Sequence, residues 1–153
     1  MDRLAAALAA VDAANAEDTN EVTVRGRSGP KELLHAELVT EWVTRLKPDA
    51  SEPLLLAARA HHLRRWTVPR SSHPPGRVGY LRWRRLLHTQ HATELGAILR
   101  DAGYDDATIE RAQVIVRKEG LGTDPEVQAL EDALCLVFLE TQLTDLAARL
   151  DDE

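Results

Sequence analysis

The chain has 153 residues, 44% of them hydrophobic and 29% charged, which is one domain's length with enough apolar material for a core and excludes a disordered tail. Its net charge of −6 argues against broad nucleic-acid binding. No apolar run approaches the roughly 18 residues of a membrane span, and Asp2, Arg3 and Asp12 interrupt the Ala-rich start, against a secretory signal. The single cysteine, Cys135, excludes a disulfide framework and a four-cysteine zinc site and fits a cytoplasmic protein. Aromatics are 4% of the chain against 22 Ala and 23 Leu, so the expected core is one of helices packed on helices.

In chain order, a first helix is expected from about Arg3 to Ala16 on the spacing of Leu4, Leu8 and Val11. Asn15 to Gly29 is polar, and its Val22–Val24 alternation is too brief for an independent sheet. Pro30 opens a second helix with the stripe Leu34, Leu38, Val39, Trp42 and Leu46. Ser51 is the expected N-cap of a third, from Pro53 to about Trp66. The stretch Val68–Gly76 reads as a loop, followed by a long helix from about Gly79 to Asp101 closed by Gly103. Asp105 or Asp106 caps a fifth helix to about Lys118. A capping box, Thr123-Asp-Pro-Glu126, starts the last, with Val127, Leu130, Leu134, Val137 and Phe138 inward. The expectation is a single all-α bundle of about six helices over residues 1–153. The leucine-rich run around Cys135 predicts a buried thiol, and Trp42, Trp66 and Trp83 are expected in packing rather than base stacking.

Charge is unevenly placed. From Pro53 to Thr93 there is no Asp or Glu, but there are eight arginines and five of the six histidines. The remainder then carries −14, since −6 less +8 is −14. Such a segment predicts either an anion site or pairing with acidic helices elsewhere.

His35 on the second expected helix, His61 and His62 on the third, His88 and His91 on the fourth, Glu119 closing the fifth and Asp132 on the sixth are the candidate chemistry. Imidazole and carboxylate suit Mn, Fe, Co, Ni or Zn, and a bundle can gather them from facing helices. The order His35, His61-His62, His91, Asp132 resembles the HD-domain metal-dependent phosphohydrolase superfamily. The segment Leu56-Ala-Ala-Arg-Ala-His-His-Leu63 is similar to the helix bearing that superfamily's His-Asp pair, with His61-His62 in its place. Pro125 to Leu134 is similar to its late helix, with Asp132 at the ligand position. Over nearly the whole chain, strings such as Pro30-Lys-Glu-Leu-Leu34, His62-Leu-Arg-Arg-Trp66, Gly79-Tyr-Leu-Arg-Trp83 and Arg117-Lys-Glu-Gly120 resemble the family called domain of unknown function 4202. Members of that family usually continue further, so the expectation is either a naturally short chain or one from which a C-terminal segment is absent.

The resemblance implies a divalent transition-metal site at His35, His61, His62, His91 and Asp132, with Glu119 as ligand or general base. Consecutive helical positions point about 100° apart, which counts against His61 and His62 sharing one ion. Arg64, Arg65, Arg70, Arg82 and Lys118 are the expected anion-binding residues, and His73, in a Pro-flanked loop, is not an expected ligand. The implied function is a hydrolase of a small phosphorylated or anionic metabolite, with neither membrane nor nucleic acid as partner and with homo-oligomerisation left open. The alternatives are a non-catalytic anion- or partner-binding module with structural histidines, and a di-iron oxygenase of the same superfamily.

Overall fold

A computed structural model describes residues 2–143 and 150. The chain end at 151–153, on which the expectation for the C-terminus rests, lies outside them. The described residues form α1 (Arg3–Asn15), a hairpin of β1 (Glu21–Val24) and β2 (Arg27–Pro30), α2 (Lys31–Leu46), α3 (Glu52–Arg59), α4 (Arg77–Asp101), α5 (Asp106–Val116) and α6 (Pro125–Thr141). The protein is all-α apart from that hairpin. No described helix is long and apolar enough to cross a membrane.

Helix starts follow local chemistry. Asp2, Ser51, Asp105 and Asp124 each accept a backbone N–H of the first turn of α1, α3, α5 and α6. The cap of α6 is thus Asp124, one residue beyond the expected Thr123, whose hydroxyl instead donates to the Gly120 carbonyl. The Val22–Val24 alternation does become a strand, because Arg25 and Gly26 both take positive φ (50° and 78°) and close a two-residue turn. The hairpin is not left alone: Arg25 bonds Glu41 of α2 and Glu140 of α6 at 2.7 and 2.6 Å.

α4 packs along α5, α2 along α6, and α3 lies against both α2 and α5. Leu54, Leu56, Leu63, Leu95, Leu99, Ile115 and Leu130 fill the core. Close approach is fixed at Gly79, where an added Cβ would stand 1.9 Å from the Pro74 carbonyl oxygen. Gly79 therefore lets the loop before α4 fold back on its first turn. Cys135 is exposed, not buried. The buried face of α6 is Val127, Leu130, Ala133 and Val137, and Cys135 lies off that stripe.

Candidate functional site

The decisive local departure from the sequence expectation is the end of α3. The helix stops at Arg59, not Trp66, and the chain continues in tight turns with Arg64 left-handed at φ 56°. Side chains collect the carbonyls this frees. Asn15 Nδ2 donates to Arg59 O at 3.1 Å, His61 Nδ1 to Ala58 O at 3.0 Å, His91 Nδ1 to Leu63 O at 2.8 Å and Gln90 Nε2 to Arg64 O at 3.2 Å. Off the helix, the 100° argument no longer separates consecutive residues. The His61 and His62 rings lie 4.2 Å apart by centroid, and His91 of α4 is 6.2 Å from His62.

Glu32, in the first turn of α2, completes the cluster. Its Oε2 is 3.1 Å from His62 Nδ1. One donor atom from each of Glu32, His61 and His62 lies within 4.8 Å of the others. The start of α2 has no side-chain cap of its own. Buried Asp18 supplies it from outside the helix, one carboxylate oxygen accepting the Glu32 N–H at 3.0 Å while the other accepts from the backbone N–H and the side-chain Nδ2 of Asn20. Glu32 is thereby fixed at the backbone as well as through its side chain.

These imidazoles are neutral near pH 7. Burial is the largest cause in each case. It pushes His61 and His62 well below the usual histidine range, aided by the neighbouring ring at His61 and by Arg65 at His62. His91 falls to about 4 and His35 is also lowered, both mainly by burial. A carbonyl oxygen can only accept, so Nδ1 of His61 and His91 must carry the proton, and Nδ1–H of neutral His62 donates to Glu32. Each Nε2 keeps its lone pair. Metal-bound histidines carry this same commitment of the second nitrogen to a carbonyl or carboxylate.

The histidines border a cavity of about 420 Å³, within the range of small-molecule sites. His35 and Val39 of α2 line one side; Leu130, Leu134, Val137 and Phe138 of α6 another; Trp83, Arg84, His88 and His91 of α4 a third. Arg65 and Lys118 complete the charged border. The Arg65 guanidinium stacks 5.1 Å from the Trp83 ring centroid, while Trp83 Nε1 donates to the Val68 carbonyl at 2.7 Å. Neither Arg65 nor Arg84 forms an ion pair among the described residues. Lys118 sits at φ 59°, in the position after α5 where the Lys118 and Glu119 N–H groups close back onto Ile115 and Val114. Glycine is the usual occupant of that position. There Nζ lies 2.8 Å from Glu131.

Of the expected metal ligands, His35, His61, His62 and His91 reach the cavity and Asp132 does not. Asp132 is exposed on α6 and accepts from Gln128 one turn earlier at 2.8 Å; two positions beyond buried Leu130, it points away from the cavity. Glu119 is exposed and paired with Arg117 at 2.7 Å. Among the expected anion binders, Arg65 and Lys118 line the cavity. Arg64 is held by Glu17 and Glu94. Arg70 spends its donors on the carbonyls of His73, Pro74 and Gly76, and Arg82 is exposed outside the lining. His73 stays in its loop, bonded to Ser72. Sequence reasoning missed Glu32 and Arg84. Both carried a signal: Glu32 precedes His35 by three residues and Arg84 precedes His88 by four, each on the same helical face.

A family model described as Domain of unknown function (DUF4202) matches residues 5–153. No curated protein matches, and no solved structure does.

Proposed function

The chain belongs to the DUF4202 family, and from that premise we propose that it is a divalent-metal-binding, HD-like hydrolase acting on a small phosphorylated or anionic metabolite. The observation that carries the reading is the Glu32, His61 and His62 cluster, with His35 and His91 bordering the same cavity and every Nδ1–H of His61, His62 and His91 already committed. The donor set is imidazole-rich with one carboxylate, which suits Zn, Fe, Co or Ni better than Mg or Ca. An ion bound there would supply Lewis acidity and lower the pKa of a bound water.

The protein's own residues do the remainder. Glu32 orients the His62 ring or joins it as a ligand. Arg65, kept in place by a ring face rather than by an acid, retains its charge for the substrate anion. Arg84 and Lys118 add to the positive potential on which charge developing in a transition state would fall. Burial of the imidazoles keeps them unprotonated, so at neutral pH they are ready as ligands.

A second reading, a non-catalytic anion-binding module, is favoured by the outward turn of Asp132 and Glu119, which leaves no carboxylate among the described lining residues to act as base. The deciding experiment is to strip the protein with chelator, restore Mn, Fe, Co, Ni or Zn one at a time, and measure phosphate release from small phosphomonoesters beside His62→Ala. Metal-dependent release lost in the variant supports the hydrolase. Stoichiometric metal with release no faster than the variant supports the binding module.

A further inference from the structure

The two walls of the cavity are chemically opposed. From α6 come only apolar side chains, Leu130, Leu134, Val137 and Phe138, whereas α2, α4 and the turn after α3 bring the imidazoles, with Arg84 and Arg65. Among the described lining residues there is no carboxylate, in a chain with 25 acids. Every charged side chain in the lining is therefore a cation that only donates, and the acceptors there are neutral: the imidazole Nε2 atoms, Tyr80 of α4 and Gln142 just past the end of α6.

A polyhydroxylated body laid on the α6 wall would bury its hydroxyls against Leu130, Leu134 and Val137, away from those acceptors, at a cost in unmade hydrogen bonds. A flat or aliphatic body meets that wall without loss. We propose that the ligand is an organic monophosphate with an apolar body: its phosphate sits among Arg65, Arg84 and Lys118 and its carbon skeleton lies on the Leu134 side. A sugar phosphate is thereby discriminated against. This deepens the reading of the cavity as an anion site and rests on it, but it does not depend on hydrolysis or on a metal.

The test is calorimetric titration of the full chain with inorganic phosphate, ribose 5-phosphate and phenyl phosphate, with and without chelator. Phenyl phosphate should bind at least about tenfold more tightly than ribose 5-phosphate, the gain expected from burying one ring. Leu134→Asn should bring phenyl phosphate down toward inorganic phosphate and leave inorganic phosphate unchanged; Leu134 is only partly buried, and circular dichroism checks that the variant folds. Arg84→Gln should weaken all three. Equal binding of the two esters, no binding by any probe, or a Leu134→Asn effect shared by inorganic phosphate would overturn the proposal. The preference persisting in chelator, with no metal-dependent hydrolysis, would sink the hydrolase and leave the ligand class standing.

Discussion

The arginines divide the molecule into two regions. Around the core, Arg59 bonds both oxygens of Asp12 at 2.9 and 2.8 Å, and Arg111 grips Asp124 and Glu126 where α5 meets the start of α6. At the cavity, Arg65 and Arg84 meet imidazoles and a tryptophan face instead of described acids. The same residue type thus clamps helices in one place and provides an unneutralised field in the other. The difference is made by which helix lies opposite, not by anything near the arginine in sequence. Glu126 marks the acid-rich side further, bonding Ser51 at the start of α3 at 2.5 Å.

The two regions should respond to acid in separate windows. Histidines whose folded pKa lies below the unfolded value of about 6.5 take up protons more readily when unfolded. Their contribution is fully present above pH 6.5 and is lost as pH falls toward about 4, the value reached by His91. His91 alone is worth on the order of 3 kcal/mol over that window. Asp124 is held at about 2, chiefly by Arg111, so its contribution is present above its unfolded pKa of about 3.9 and fades only as pH falls from there toward 2. Denaturant titrations of chelated protein should show two separate declines, and a stability flat between pH 7 and 4 would contradict the buried neutral imidazoles.

Glu32→Gln keeps the side chain's size but removes the charge beside His62 and should weaken metal binding by about 10–100-fold, read by competition with a chromogenic chelator. Unchanged affinity would remove Glu32 from the site. Arg111→Ala, on the opposite side of the comparison, should lower unfolding stability by about 1–3 kcal/mol through its lost charge-assisted bonds. It should leave metal content as it was. The smallest effect on stability is expected of Lys118→Gly, which frees a left-handed backbone position of its Cβ while removing one ion pair. Stability should change by no more than about 1 kcal/mol in either direction, but phosphate binding should weaken. Retained phosphate affinity would leave Lys118 with its Glu131 pair alone.

The helices were readable because Leu and Ala spacing, Ser51, Asp105 and the prolines of α3 and α6 act locally, and local signals survive folding. The end of α3 was not readable. His61-His62-Leu63 has no breaker; the helix ends where Asn15, distant in sequence, takes the Arg59 carbonyl, and His91 and Gln90 hold the turns beyond it through the Leu63 and Arg64 carbonyls. That single event decides the site, since it turns two consecutive histidines toward one cavity. The acid-free, Arg- and His-rich segment supplies Arg65 and Arg84 to the cavity, but its sequence does not divide its arginines, because Asp12, Glu17 and Glu94 lie outside it. Asp132 was chosen by resemblance, and the phase of α6 turns it outward, while Glu32, in a string that did draw notice, stands beside His62.

The central claim, that buried neutral histidines and Glu32 hold a transition metal, is met most directly by elemental analysis of protein purified without chelator, beside His62→Ala and Asp132→Ala. The account predicts about one equivalent of a first-row transition metal in the parent and in Asp132→Ala, loss of it in His62→Ala, and a higher melting temperature with metal than without, since the unfolded chain cannot present these ligands together. A metal-free parent protein whose melting temperature does not move on adding Mn, Fe, Co, Ni or Zn would contradict it.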